Sequence, residues 1–303
     1  MLYENGKIIN GYKPSRLEDC FLDFMLSRKA MLCTPRTLKF YRDTLGKFME
    51  WMQKQGVTKP TEITSKHIRA FLATYVERGC KDSYIHTYAR SSRTFLRFLH
   101  QEGYIPEQIS FQMPKIGEKR LPILSIAEVK QVVKACMTTR DKAIILFLVD
   151  TGLRLAEATA MNWGDIDIES GMCQVRNGKG KKDRSVVIGI TTRRTLLKYR
   201  QEMTNHDDYP LFQTQNGNRL SPGGLRSMCV RLSNKTGVHI NPHALRRTFV
   251  VMSLKGGMSL AHVQALMGHK TPTMTLEYAK LVDDDLLSAH KEHGPVDYFL
   301  RGK

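Results

Sequence analysis

Residues 172–190, MCQVRNGKGKKDRSVVIGI, break the pattern of everything around them. Two short runs rich in β-branched and apolar residues flank a turn of Asn, Gly, Lys and Asp, and that composition reads as a β-hairpin. On both sides the apolar residues recur at three- and four-residue steps, the period of helices that bury one face. The sequence therefore predicts a mainly α chain with one small β-sheet or hairpin inserted in its second half.

Moving outward from the hairpin, DKAIILFLVDTGLRLAEATAMNW on its N-terminal side reads as strongly apolar helix, and SIAEVKQVVKACM before it as another, opening at Ser125. Residues 106–122 hold three prolines with little periodicity, the composition of a linker. Residues 15–105 read as four helices. Thr34-Pro35 is a cap followed by a first-turn proline, and Ile63-Thr64-Ser65 opens a further helix closed by Gly79. The fourth helix buries Ile85, Tyr88, Phe95, Leu96 and Leu99 and ends near Gly103. After the hairpin, helices resume around Thr191, with loops at residues 204–210 and 214–223. The expected organisation is a tail over 1–14, a helical domain over 15–105, a linker over 106–122, an α+β domain over 123–280 and a second tail over 281–303.

The length of 303 residues and a hydrophobic content of 41% suit two cores. Lys and Arg total 47 against 29 acidic residues, a formal charge of +18 and a pI near 9.7. Such an excess favours a polyanion, because cationic side chains release the counterions condensed on nucleic acid. On the fourth helix Arg90, Arg93 and Arg97 recur at helical steps and stack three guanidinium groups on one side. Alone that is a solvated face; in so basic a chain it reads as a stripe that tracks phosphates. The six cysteines are scattered without metal-ligand spacing, which suggests neither zinc nor disulfides. The N-terminus lacks the apolar run of a signal peptide, and no apolar stretch has membrane-spanning length, so a cytoplasmic, nucleoid-associated protein with no membrane partner is expected.

Four motifs carry the chemistry. TGLRLAE (residues 151–157), GKGKKDR (178–184), HALRR (243–247) and LMGHKTPTMTLEY (266–278) follow one another in that order. Together they resemble the catalytic signature of the tyrosine recombinases, the phage-integrase-type site-specific recombinases, and the helical N-terminal half is similar to that family's SAM-like core-binding domain. The resemblance implies a C-terminal catalytic domain with a six-member site. Arg154, Arg246 and His269 would hold the scissile phosphate, Lys179 would protonate the leaving oxygen, His243 would assist proton transfer, and Tyr278 would attack phosphorus. Glu157 would support Arg154. Lys181 and Lys182 share the hairpin turn with Lys179; family spacing favours Lys179 as the acid and leaves Lys181, Lys182 and Arg184 to contact DNA. Arg247 stands where many relatives carry His.

Each residue has a plainer reading by itself. Arg154 could be an ion-pair partner of Glu157, His243 a helix-start residue, His269 a neighbour of a C-cap, and Tyr278 a core aromatic; the joint occurrence is what tips them towards chemistry. The chemistry is self-consistent. Attack on a phosphodiester builds negative charge on the non-bridging oxygens, which the planar, permanently charged fork of arginine can meet. A phenol of pKa about 10 needs a nearby base and cationic neighbours, and an alkoxide leaving group needs an acid such as lysine. The covalent tyrosyl phosphate conserves the bond energy for rejoining. No metal, nucleotide or other cofactor is therefore expected.

The resemblance further implies double-stranded DNA with specific sites as partner, a homotetramer on two such sites, and a tail over 281–303 that docks on a neighbouring protomer. The expected activity is site-specific cleavage and rejoining through a 3′-phosphotyrosyl intermediate, as an integrase or transposon recombinase of a mobile element. The alternatives are a Xer-like dimer-resolution recombinase, a type IB topoisomerase, and a catalytically silent DNA-binding regulator with the same fold.

Overall fold

The structure is a computed structural model; it describes residues 15–117, 122–176, 183–203 and 209–268, with the short segments 3–4 and 7–8 and residue 296. The chain divides into two compact units, Met1–Lys119 and Arg120–Lys303.

In the first unit a two-residue antiparallel pair, β1 (Tyr3–Glu4) and β2 (Lys7–Ile8), precedes four helices, α1 (Leu17–Ala30), α2 (Pro35–Lys54), α3 (Ser65–Glu77) and α4 (Asp82–Gln101). Their starts follow local chemistry. The Thr34 hydroxyl accepts the Thr37 amide with Pro35 in the first turn, and the Thr64 hydroxyl accepts the His67 amide, each relieving an orphan donor. The core is aromatic: Phe24 meets Tyr41, Phe95 and Phe98 edge-on at 5.1–5.4 Å between centroids, the geometry that ring quadrupoles favour. The proline-bearing segment after α4 is not free over its first half. Ile105 is buried, and Ile109, Phe111 and Met113 pack on this core.

The second unit runs α5 (Ile126–Ala135), α6 (Thr139–Thr151), α7 (Leu155–Ala160), β3 (Met172–Val175), β4 (Arg184–Val187), α8 (Ile190–Gln201), α9 (Pro222–Thr236), α10 (Pro242–Lys255) and α11 (Leu260–Met267). The hairpin is antiparallel, with Met172 opposite Val187 and Val175 opposite Arg184. Helix α6 is the hub. Its Ala143, Ile144, Ile145, Phe147 and Leu148 are buried, and it packs against α8 and α10. The mainly helical class with a small hairpin in the second half is as expected, and the β1–β2 pair adds to it. Among the described residues no helix is long and apolar enough to cross a membrane.

One element differs from expectation in a way that builds the site. The stretch 141–163 reads as continuous helix but breaks after Thr151. Gly152 adopts φ 59° and ψ 20°, a left-handed cap that glycine reaches without the Cβ penalty. A Cβ there would sit 2.3 Å from the Phe249 ring of α10. The chain then turns through buried Leu153 to Arg154, which is extended and caps α7. The left-handed cap at Gly152, packed against α10, thus interrupts the helical periodicity, and Arg154 stands at a helix start.

Candidate active site

Arg154 and Glu157 form the N-terminal box of α7. The Arg154 amide donates to Glu157 Oε2 at 2.8 Å, and Arg154 Nη1 donates to Oε1 at 2.8 Å. The plainer reading of Arg154 as an ion-pair partner of Glu157 therefore holds. The pair orients the guanidinium while leaving it 27% exposed along the side chain.

His243 and Arg246 come from α10. Asn241 caps that helix, its Oδ1 accepting the Ala244 amide at 2.9 Å, and Pro242 occupies the first turn. One turn separates His243 from Arg246, so both face the same side. Arg246 is buried; its Nη1 donates to the Gly152 carbonyl and its Nη2 to the Met267 carbonyl at 2.9 Å. It ties the break before Arg154 to the end of α11. Arg154, His243 and Arg246 line one cavity of about 330 Å³, with Arg226, Cys229 and Pro242 among the other walls. Arg154 and, far from it in sequence, the His243–Arg246 pair thus share a single cleft rich in guanidinium groups.

Those charges tune the histidine. Partial burial, and then the positive fields of Arg247, Arg246, Arg226 and Arg154, hold His243 below its ordinary value, which leaves a neutral imidazole able to accept a proton at pH 7. Burial alone would push the Glu157 carboxyl up, but hydrogen bonds from Arg184 and from the amide and side chain of Arg154 outweigh it and bring it down to about 2. It is a carboxylate at every physiological pH.

The structure scatters the expected DNA contacts. Arg90 and Arg97 are exposed on α4, Arg90 lying 5.7 Å from the Phe40 ring centroid. Arg93 turns inward: its Nη2 donates to the Phe111 carbonyl at 3.2 Å and its guanidinium lies 5.5 Å from the Phe111 ring centroid, fastening the post-helical segment. Arg184, expected on DNA, spends its guanidinium on Glu157 and the Leu266 carbonyl. Arg247, the position noted for its departure from many relatives, donates Nε to the Pro122 carbonyl at 3.0 Å. Lys179, Lys181, Lys182, His269, Tyr278 and, apart from residue 296, the tail over 281–303 lie outside the described residues. Arg226 was not singled out in sequence; it sits in α9 without a motif, and only the tertiary fold brings it to the cavity.

Comparison with known proteins follows the same lines. Residues 123–284 match the phage integrase family and residues 19–103 its N-terminal SAM-like domain. Tyrosine recombinase XerC of Oceanobacillus iheyensis is 29% identical over 91% of this chain and 95% of its own. Tyrosine recombinase XerA of Saccharolobus solfataricus is 31% identical over 82% of this chain and 84% of its own. Among solved structures, the Tn1549 transposon integrase in complex with a circular intermediate DNA superposes with a TM-score of 0.74, covering 88% of this chain and 95% of that one at 19% identity. The chain belongs to the phage integrase family and is a tyrosine recombinase, an enzyme that cleaves and rejoins DNA.

Proposed function

We propose that this enzyme recombines DNA at specific sites through a 3′-phosphotyrosyl intermediate, with Tyr278 as nucleophile and without metal or ATP. The observation that carries the reading is the convergence of Arg154, His243 and Arg246 on one cavity. In it, Arg154 and Arg246 meet the charge that develops on the scissile phosphate, where a preorganised donor contributes roughly 3–4 kcal/mol. His243, held neutral, takes the phenolic proton. Lys179 supplies the proton to the departing 5′ oxygen, and His269 adds a donor to the phosphate. Double-stranded DNA is gripped mainly through its phosphates, with Arg90 and Arg97 on α4 contributing and Lys181 and Lys182 from the hairpin turn. A nicked suicide substrate tests the reading: wild type should trap a covalent 3′ adduct, Tyr75→Phe should retain it, and Tyr278→Phe should lose it. An adduct in Tyr278→Phe overturns the assignment.

The biological role follows the relatives. Similarity to XerC and XerA over nearly the whole chain supports a Xer-like resolvase acting in the cytoplasm more than a mobile-element integrase, for which the likeness to the Tn1549 protein speaks to fold alone. Terminal repeats or conjugation genes flanking the gene would reverse that order. The working form is a homotetramer on two sites, with residues 281–303 docked on a neighbour; deleting them should abolish the paired complex in gel shifts and spare single-site binding.

A further inference from the structure

Arg184 opens β4, directly after the hairpin turn, and its position in a Lys-rich motif suggests a phosphate contact. Its surroundings indicate otherwise. Its side chain is 12% exposed, and all three guanidinium nitrogens are engaged inside the protein. Nη1 and Nη2 donate to the two oxygens of Glu157 at 3.1 and 2.8 Å, a two-pronged pair of the kind that fixes orientation as well as proximity. Nε donates to the Leu266 carbonyl at 2.9 Å. That carbonyl lies in the last turn of α11, where backbone acceptors lack helical partners and the helix end carries partial negative charge. Gly268 follows in the left-handed region at φ 60°, and a Cβ on it would come within 3.1 Å of Arg184 Cδ. The close approach of the two segments is therefore built into the sequence at both ends.

Glu157 is the junction. The same carboxylate that takes both prongs of Arg184 also takes the amide and Nη1 of Arg154. Arg184 thereby joins three pieces of chain: the start of α7 with Arg154, the start of β4, and the end of α11. Arg246 binds the neighbouring Met267 carbonyl, so two guanidinium groups hold consecutive carbonyls of one helix end.

We infer that Arg184 is a positioning residue for strand cleavage, acting through Glu157 and the Leu266 carbonyl to hold Arg154 and the end of α11 in register, and that it is not a DNA contact. The inference rests on the recombinase reading above. It differs from a phosphate-binding role in what it changes. A positioning residue alters the rate of chemistry once DNA is bound; a phosphate contact alters affinity and its salt dependence.

The experiment measures single-turnover adduct formation at saturating nicked DNA, together with Kd across a salt series, for wild type, Arg184→Gln, Arg184→Lys, Glu157→Gln and the double variant. Arg184→Gln should lower the cleavage rate constant by about 100-fold, the scale on which small misplacements act, with Kd and salt slope unchanged. Arg184→Lys keeps the charge beside Glu157 and should recover part of the rate, which separates positioning from failure to fold. The double variant should be no slower than the slower single, since both substitutions open one network. Unchanged cleavage in Arg184→Gln with a salt slope shallower by about one would overturn the inference, as would losses that multiply in the double variant. A wild type that forms no adduct defeats the recombinase reading instead, and the shared network is then read from the same double-mutant cycle in thermal unfolding, where additivity overturns it.

Discussion

The arginines of α4 and those of the catalytic unit are the same residue used in two ways. Arg90 and Arg97 stand exposed on a helix face, where each offers charge and little geometry. Arg184 and Arg246 are sunk against carbonyls and a carboxylate, where fixed acceptors aim each guanidinium. The difference teaches that charge count measures affinity for a polyanion, while hydrogen-bond count measures how well a charge is aimed. Arg93 lies between: it stems from the exposed stripe but is tied by Phe111, so a stripe in sequence is not a stripe in space.

The comparison can be broken first at Arg246. Arg246→Lys keeps the charge but not the fork that reaches Gly152 and Met267, so cleavage at saturating DNA should fall by about 1000-fold while Kd stays within about twofold; a large rise in Kd in band shifts would place Arg246 with the affinity group. Next comes the scaffold under the buried arginines. Gly152→Ala meets the Phe249 ring and a left-handed backbone, and chemical denaturation should show a loss of about 3 kcal/mol; a loss below 1 kcal/mol would show that the break before Arg154 tolerates rearrangement.

Acid sharpens the contrast further. Glu157 falls from an ordinary 4.5 to about 2 in the folded protein, so its contribution of about 3 kcal/mol is complete above pH 4.5 and lost as pH drops towards 2. Glu157→Gln should flatten that part of the stability–pH curve measured by denaturant titration. His243, also held low, should keep the cleavage rate level through neutral pH and let it fall on the acid side of 6.5; a fall already present at pH 7.5 would mean that DNA raises its affinity for protons. The smallest effect belongs to the exposed pair. Arg90→Ala and Arg97→Ala should each weaken binding modestly and make the salt slope shallower by about one, with the cleavage rate constant untouched; a change in that constant would blur the division between affinity and aim.

Much of this was readable beforehand, for reasons of range. Helix starts at Thr34, Thr64 and Ser125 depend on a hydroxyl accepting from an amide three residues on, and the hairpin depends on a turn between two β-rich runs. These signals are contained in a few consecutive residues. The four motifs were likewise visible as strings, and they named the family that the comparisons show.

The amino-acid sequence by itself determined most of the helices, the hairpin, the charge and the family. Only the tertiary structure decided that the Phe249 ring packs where a side chain at residue 152 would stand, that Arg226 joins the cavity, and that Arg184 faces Glu157 and not solvent. The physical reason is that a guanidinium selects among orphan carbonyls and buried carboxylates. Which of those lie within 3 Å depends on segments 27 and 82 residues away, beyond the reach of any local pattern.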